Sequence, residues 1–172
     1  MELSGKNFIV LVEEMFNDQE FWYPFYRLQE AGAKVTVVGS GSADRYTGKA
    51  GTQIDINAAA DQISLDEYDG VVIPGGYAPD LMRRYPAMLH LVKRLYEKGK
   101  VVAAICHAGW VLISAGIITN RSVTSFFSIK DDMINAGARW TDKEVVVDGN
   151  LITSRTPSDL PAFMRAVIQA AR

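Results

Sequence analysis

Five short β-branched runs recur along the chain, with helical segments between them. They read FIVLV (8–12), KVTVV (34–38), GVVIPGG (70–76), VVAAI (101–105) and SVTSF (122–126). FIVLV and VVAAI are apolar at every position, whereas a strand with one wet face would alternate. An uninterrupted apolar strand belongs in a parallel sheet covered by helices on both faces. The intervening segments supply those covers. PAMLHLVKRLYEKG (86–99) places Met88, Leu91, Val92 and Leu95 on one helical face, with Pro86 in its first turn and Gly99 as its stop. EFWYPFYRLQEAG (20–32) ends in a C-terminal glycine, and Pro24 marks a helix start or a kink. EVVVDGNLITSR (144–155) reads as a hairpin around DGN, and SDLPAFMRAVIQAA (158–171) as a closing helix capped by Ser158 or Asp159. The expected fold class is α/β: a doubly wound, mostly parallel sheet with right-handed crossovers. Such sheets bind ligands beyond the carboxyl ends of their strands, at a topological switch point.

At 172 residues, 48% apolar and 22% charged, the chain suits a single domain spanning residues 1–172. A net charge of −2 with scattered Lys and Arg offers no track for nucleic acid and no basic face for a membrane. No apolar stretch approaches the ~20 residues of a membrane helix. MELSGKNFIVLVEE runs into a strand without the basic start of a signal peptide. One cysteine excludes an intrachain disulfide and a multi-thiolate zinc site. The expected compartment is the reducing cytoplasm, and no cofactor or metal is called for. His90 lies opposite the apolar stripe of its helix and is expected at the surface without a ligand role. Asp131 and Asp132 read as first-turn helix charges.

The informative stretch is VVAAICHAGWVLISAG (101–116), where the only cysteine directly follows a strand and opens a helix. A tight strand-to-helix turn exposes a reactive atom at the sheet edge, and Ala108 and Gly109 keep it uncrowded. Unpaired N–H groups at a helix start stabilise a thiolate and the oxyanion of a tetrahedral intermediate, so Cys106 reads as a nucleophile of lowered pKa. The alternative is a buried core thiol, the commonest fate of a free cysteine. PGGYAPD (74–80) follows the third run and should reach the same edge. Gly75 and Gly76 allow close backbone approach, and the Gly76 N–H could complete an oxyanion hole. Tyr77 would wall the site. The aromatic group at 21–26 divides between core and a pocket or oligomer interface.

The segments VVIPGGYAPD, AAICHAGWVLISAGI, IKDDMINAGA and EVVVDGNLITSRTPSDLPAF resemble the PfpI family of intracellular proteases, within the class I glutamine amidotransferase-like superfamily. The resemblance implies a flavodoxin-like sandwich with Cys106 as nucleophile and His107 as its partner. It also implies a homo-oligomer in which an acidic residue from a neighbouring subunit orients the histidine. Asp80 matches that position. The family usually reads FED after the first strand, with a glutamate that touches the sulfur. Here the segment is EEMFNDQEF, which aligns Asn17 with that glutamate. An Asn amide can donate a hydrogen bond to a thiolate but cannot shuttle a proton. Glu14 and Asp18 lie nearby in sequence as substitutes. GKAGTQIDI (48–56) resembles a Gly-rich family segment and receives no catalytic role.

The resemblance implies a cysteine hydrolase acting on small carbonyl adducts of the glyoxal and methylglyoxal type, or on peptides and amides. A small substrate is the favoured one. The competing reading is a non-catalytic stress protein whose Cys106 cycles through oxidised states. A glutaminase subunit is disfavoured, because no histidine follows His107.

Overall fold

The computed structural model describes residues 1–172, with eleven strands and six α-helices. In chain order they are β1 (Asn7–Leu11), α1 (Asp18–Glu30), β2 (Lys34–Gly39), β3 (Arg45–Thr47), β4 (Gln53–Asp55), β5 (Ala58–Ala59) and β6 (Gly70–Ile73). There follow α2 (Ala78–Met82), α3 (Pro86–Glu97), β7 (Val101–Ile105), α4 (Gly109–Ser114), β8 (Ser122–Val123) and α5 (Lys130–Asn135). The chain ends with β9 (Arg139–Trp140), β10 (Val145–Asp148), β11 (Leu151–Ser154) and α6 (Leu160–Ala171).

Seven strands form one sheet in the order β10-β11-β7-β6-β1-β2-β5, and only β10 runs antiparallel to its neighbour. The chain steps outward from β1 to β2, then returns to the other side of β1 as β6 and continues to β7. Right-handed crossovers made in opposite directions put their helices on opposite faces. Accordingly α1 packs on β1 and β2 with α6 beside it, and α3 packs on β6 and β7. β1, β6 and β7 therefore lose both faces to the core, which is why they carry unbroken apolar sequence. The switch point falls between β1 and β6.

Four of the five β-branched runs join this sheet. SVTSF does not: only Ser122 and Val123 are strand, paired in parallel with Arg139 and Trp140 in a separate two-stranded ladder. Its remainder crosses the sheet edge, where the Thr124 N–H donates to Thr153 Oγ1 at 2.9 Å and the Phe126 N–H to the Cys106 carbonyl at 3.2 Å. The run GVVIPGG leaves the ladder after Ile73, and Gly76 bridges to Phe16 in the segment that follows β1. Helix α1 begins at Asp18, six residues before Pro24, so the proline sits inside the helix. A proline at that position deprives the Glu20 carbonyl of its i+4 donor, a cost the buried Phe21 and Leu28 face offsets. The DGN hairpin turns at Gly149, with φ of +61°, and its strands pair Val145 with Ser154 through Asp148 with Leu151. Asp159 stands at the cap position of α6, but its carboxylate is taken by Arg155 at 2.9 Å.

The sheet is tightly filled at β6. A Cβ on Gly70 would stand 2.5 Å from Cε1 of Phe8 and 2.9 Å from the Val101 carbonyl oxygen. Gly70→Ala should lower unfolding free energy by about 1–3 kcal/mol, read as a lower urea midpoint at constant m-value. An unchanged midpoint would show that β1 and β7 part without cost there.

Candidate active site

Segments that follow β1, β6 and β7 converge at the carboxyl edge of the sheet. Cys106 directly follows β7 and has φ of +63°, a left-handed conformation that non-glycine residues seldom adopt. A single turn, Cys106–Ala108, joins it to α4. The expected elbow is therefore present, held open by the Phe126 bond to the Cys106 carbonyl. Gly109 permits this docking, since a Cβ there would lie 2.7 Å from the Met133 sulfur.

After Ile73 the chain turns away from β7 and pairs briefly with the segment following β1. Phe16 and Gly76 form an antiparallel bridge, the Asn17 N–H donates to the Gly75 carbonyl at 3.1 Å, and the Tyr77 N–H donates to the Met15 carbonyl at 3.0 Å. Gly76 needs its φ of +81° and its hydrogen, because a Cβ would lie 2.5 Å from the Asn17 nitrogen. At Gly75 a Cβ would stand 2.6 Å from Glu20 Oε2 and 2.7 Å from Cys106 Cβ. One added methyl group would thus strike both the carboxyl and the cysteine.

That contact corrects the expectation for Asn17. Asn17 is the N-cap of α1, its Oδ1 accepting the Glu20 N–H at 3.2 Å. The carboxyl beside the sulfur belongs to Glu20, one helical turn further on, which is 0% exposed. Its Oε2 accepts the Gly75 N–H at 2.7 Å, and its Oε1 is buried with no nitrogen or oxygen partner. The pattern Asn-x-x-Glu at residues 17–20 is a capping-box signature that could have marked Glu20. Its glutamate here turns inward to β6 instead of back to the cap. The proposed substitutes are occupied elsewhere. Glu14 accepts the Thr47 N–H at 3.1 Å, and Asp18 accepts the Ala50 N–H at 2.7 Å and the Thr52 N–H at 3.1 Å.

Burial pushes the Glu20 carboxyl up to about 7, against the Gly75 N–H and the Cys106 thiol, which hold it down. The thiol is not depressed as expected. Burial and the negative charge of Glu20 push it up to about 12, while the N–H groups of His107 and Gly76 pull the other way. The turn's dipoles are aimed at the sulfur, but at 7% exposure Cys106 has lost much of its hydration. The two acids share one proton over the range between those values. When Glu20 is neutral, the charge opposing a thiolate disappears and its O–H can donate to sulfur.

His107 stands 3.2 Å from the sulfur through Nδ1 and 3.3 Å from Ser128 Oγ through Nε2. Its ring stacks on Phe126 at 4.9 Å and meets Trp110 edge-on at 5.2 Å. Burial lowers its pKa, so the neutral imidazole dominates near neutrality. Ser128 was not foreseen. It lies in the run SVTSFFS, whose strand-like pattern conceals that it crosses the sheet edge. Asp80 sits in the first turn of α2 and forms an ion pair with Arg84 in its own chain. Of the remaining expected residues, Gly75 cannot serve an oxyanion, since Glu20 takes its N–H. Gly76 does aim its N–H at sulfur. Tyr77 is 48% exposed next to Gly76, and Ala108 is buried in the turn. His90 is exposed on α3.

The largest surface cavity, 850 Å³ between α1 and the start of α6, is lined by Trp22, Tyr26, Pro157 and Leu160 and not by Cys106. A smaller one of 340 Å³ opens at the N-terminus of α1, among Asn17, Asp18, Gln19, Lys49 and Ala50.

A cysteine on a left-handed elbow after β7, faced by a buried carboxyl and a histidine, thus lies at the carboxyl edge of a flavodoxin-like sheet. The DJ-1/PfpI family model matches residues 6–170, and the chain belongs to that family. It is 43% identical over 154 residues to Deglycase PfpI of Pyrococcus furiosus, covering 90% of this chain and 92% of the relative. It is 37% identical to protein/nucleic acid deglycase 2 of Escherichia coli, covering 96% and 97%. The crystal structure of Drosophila melanogaster DJ-1beta superposes with a TM-score of 0.90 at 31% identity, covering 98% of this chain and 92% of that one. No helix is long and apolar enough to cross a membrane.

Alkylation of Cys106 by iodoacetamide should follow the shared proton. Reactivity should rise near pH 7, as the pair loses its first proton, hold level, and rise again toward about 12. Glu20→Gln removes the charge that raises the thiol, so a single step below the upper wild-type one is expected. One wild-type inflection at the ordinary thiol value of ~8.5, unmoved in Glu20→Gln, would contradict the coupling.

Proposed function

We propose that this protein is a cysteine-dependent deglycase-type hydrolase acting on small carbonyl adducts, with Cys106 as the nucleophile. The observation that carries the reading is the buried Glu20 carboxyl, whose free Oε1 and Gly75-bound Oε2 stand beside the sulfur. A merely structural thiol has no use for a buried acid that titrates near neutrality. In the first step the thiol passes its proton to the Glu20 carboxylate, Sγ bonds to the electrophilic carbon and the carbonyl electron pair moves to oxygen. The Gly76 and His107 N–H groups take up that charge. Neutral His107, with Nδ1 at 3.2 Å from sulfur, then carries protons between the adduct and the leaving group. Its Nε2 contact with Ser128 steadies the ring when it becomes cationic. The names of the relatives support deglycation over proteolysis, as does the absence of a large cavity lined by Cys106.

Asp80 completes the arrangement in this reading, reaching His107 from a second copy of the chain. The elbow's polar cradle also supports a second use of the sulfur, oxidation by a peroxide to a sulfenate, which a thiol can reverse, and on to a sulfinate, which it cannot. The two uses separate by turnover.

Cys106→Ser should lower consumption of methylglyoxal and of its amino-acid adducts about 10³-fold or more, with an unchanged urea midpoint. Equal rates would remove the nucleophile and leave the oxidation reading. If Asp80 acts across subunits, mixing inactive Asp80→Ala with inactive Cys106→Ser should restore part of the activity. The mixed oligomer then holds one intact Cys106 facing one intact Asp80. A mixture as inactive as its components would confine Asp80 to its own chain.

A further inference from the structure

The segment GKAGTQIDI received no role from the sequence, and the structure brings it to the N-terminus of α1, the helix that carries Glu20. Its loop is built against the start of α1. Asp18 accepts the N–H groups of Ala50 and Thr52 and the Thr52 hydroxyl, and a Cβ on Gly48 would stand 2.5 Å from Asp18 Oδ1. The Lys49 N–H donates to the Phe16 carbonyl at 2.9 Å, and Phe16 is the residue bridged to Gly76. The Lys49 backbone is therefore linked through Phe16 to Gly76. Its side chain lines the 340 Å³ cavity with Asn17, Asp18, Gln19 and Ala50. Its ammonium is exposed and has no ion pair or hydrogen bond. The lysine charge nonetheless reaches both Glu20 and His107, lowering the pKa of each. Asp18, the acid lining the same cavity, has its oxygens occupied by three loop donors and offers the lysine no contact.

We infer that Lys49 is a specificity-determining cation that selects substrates bearing a carboxylate close to the electrophilic carbon. The class is the aldehyde adduct of a free α-amino acid, in preference to the same adduct on an uncharged amide. The inference rests on the thiol reading of the site but not on which reaction the thiol performs. An unpaired cation on a pinned loop, close enough to act on Glu20 and His107, takes an anionic group without first breaking an internal pair. At a partly exposed position such a pair changes rates about three- to fivefold.

The test uses two reagents of the same shape. Cys106 is alkylated by iodoacetate and, separately, by iodoacetamide, in the full chain and in Lys49→Ala, Lys49→Glu and Lys49→Arg. The readout is the ratio of the two rates, which cancels any general change in the thiol. The ratio should fall about three- to fivefold in Lys49→Ala, fall further in Lys49→Glu and be kept in Lys49→Arg. Raising salt should shrink the wild-type ratio and leave that of Lys49→Ala alone. The same order should appear in kcat/KM for methylglyoxal adducts of N-acetylcysteine against N-acetylcysteine amide. Ratios equal in wild type, Lys49→Ala and Lys49→Glu overturn the inference and leave the nucleophile standing. Inertness of Cys106 to both reagents removes the nucleophile, and the inference with it.

Discussion

The active edge of this protein depends on one buried carboxyl placed where water cannot reach it. Glu20 projects from the first turn of α1 across the end of β6, accepts the Gly75 N–H at 2.7 Å and faces the sulfur that follows β7. It lies where the segments that follow β1, β6 and β7 meet. Each surrounding oddity answers to it. Gly75 has no side chain because a Cβ would collide with Oε2, and Gly76 is left-handed so that the 74–77 segment can pair with residues 15–17. Cys106 accepts a left-handed backbone, which brings its Sγ toward the carboxyl and the converging N–H groups. A buried acid of ordinary pKa would be charged and would oppose a thiolate at close range. Raised to about 7, it can hold a proton when the sulfur gives one up.

Much of this was legible in the chain. The unbroken apolar character of FIVLV and VVAAI marked strands buried on both faces, and these became β1 and β7 at the centre of the sheet. The strand–Cys–His–helix order marked the elbow. What misled was reasoning by position where reach decides. Asn17 aligned with a family glutamate, but its short side chain closes the local turn of α1, which is what Asn does at a helix start. Glu20 received no role from the sequence, because only the fold reveals that its face of α1 meets Gly75. The expected fall in the thiol pKa assumed solvent at the turn, and burial reversed its sign. Ser122–Phe126 had the composition of a strand, but only Ser122 and Val123 pair, with Arg139 and Trp140 outside the main sheet.

Histidine and lysine divide the remaining electrostatics. His107 is desolvated against Phe126 and Trp110, which favours the neutral ring that meets the sulfur through Nδ1. Lys49, on a loop that Asp18 pins in place, supplies the positive charge that the histidine does not. The fold thus places the histidine on the elbow and the lysine on the β3–β4 loop, and in the proposed reading the first serves proton transfer and the second anion recognition. Exposed aromatic rings on α1, including Tyr23 and Tyr26, lie around the corner from this edge and take no part in it.

The protonation of Glu20 is the most direct point of attack. Infrared difference spectra of wild type against Glu20→Gln, recorded about one pH unit below neutrality, isolate the vibrations of this one side chain. The account requires a protonated-carboxyl C=O band that gives way to carboxylate bands as pH rises through about 7. Carboxylate bands alone throughout that interval would show a permanently charged neighbour for the sulfur, and the account of this site would be wrong.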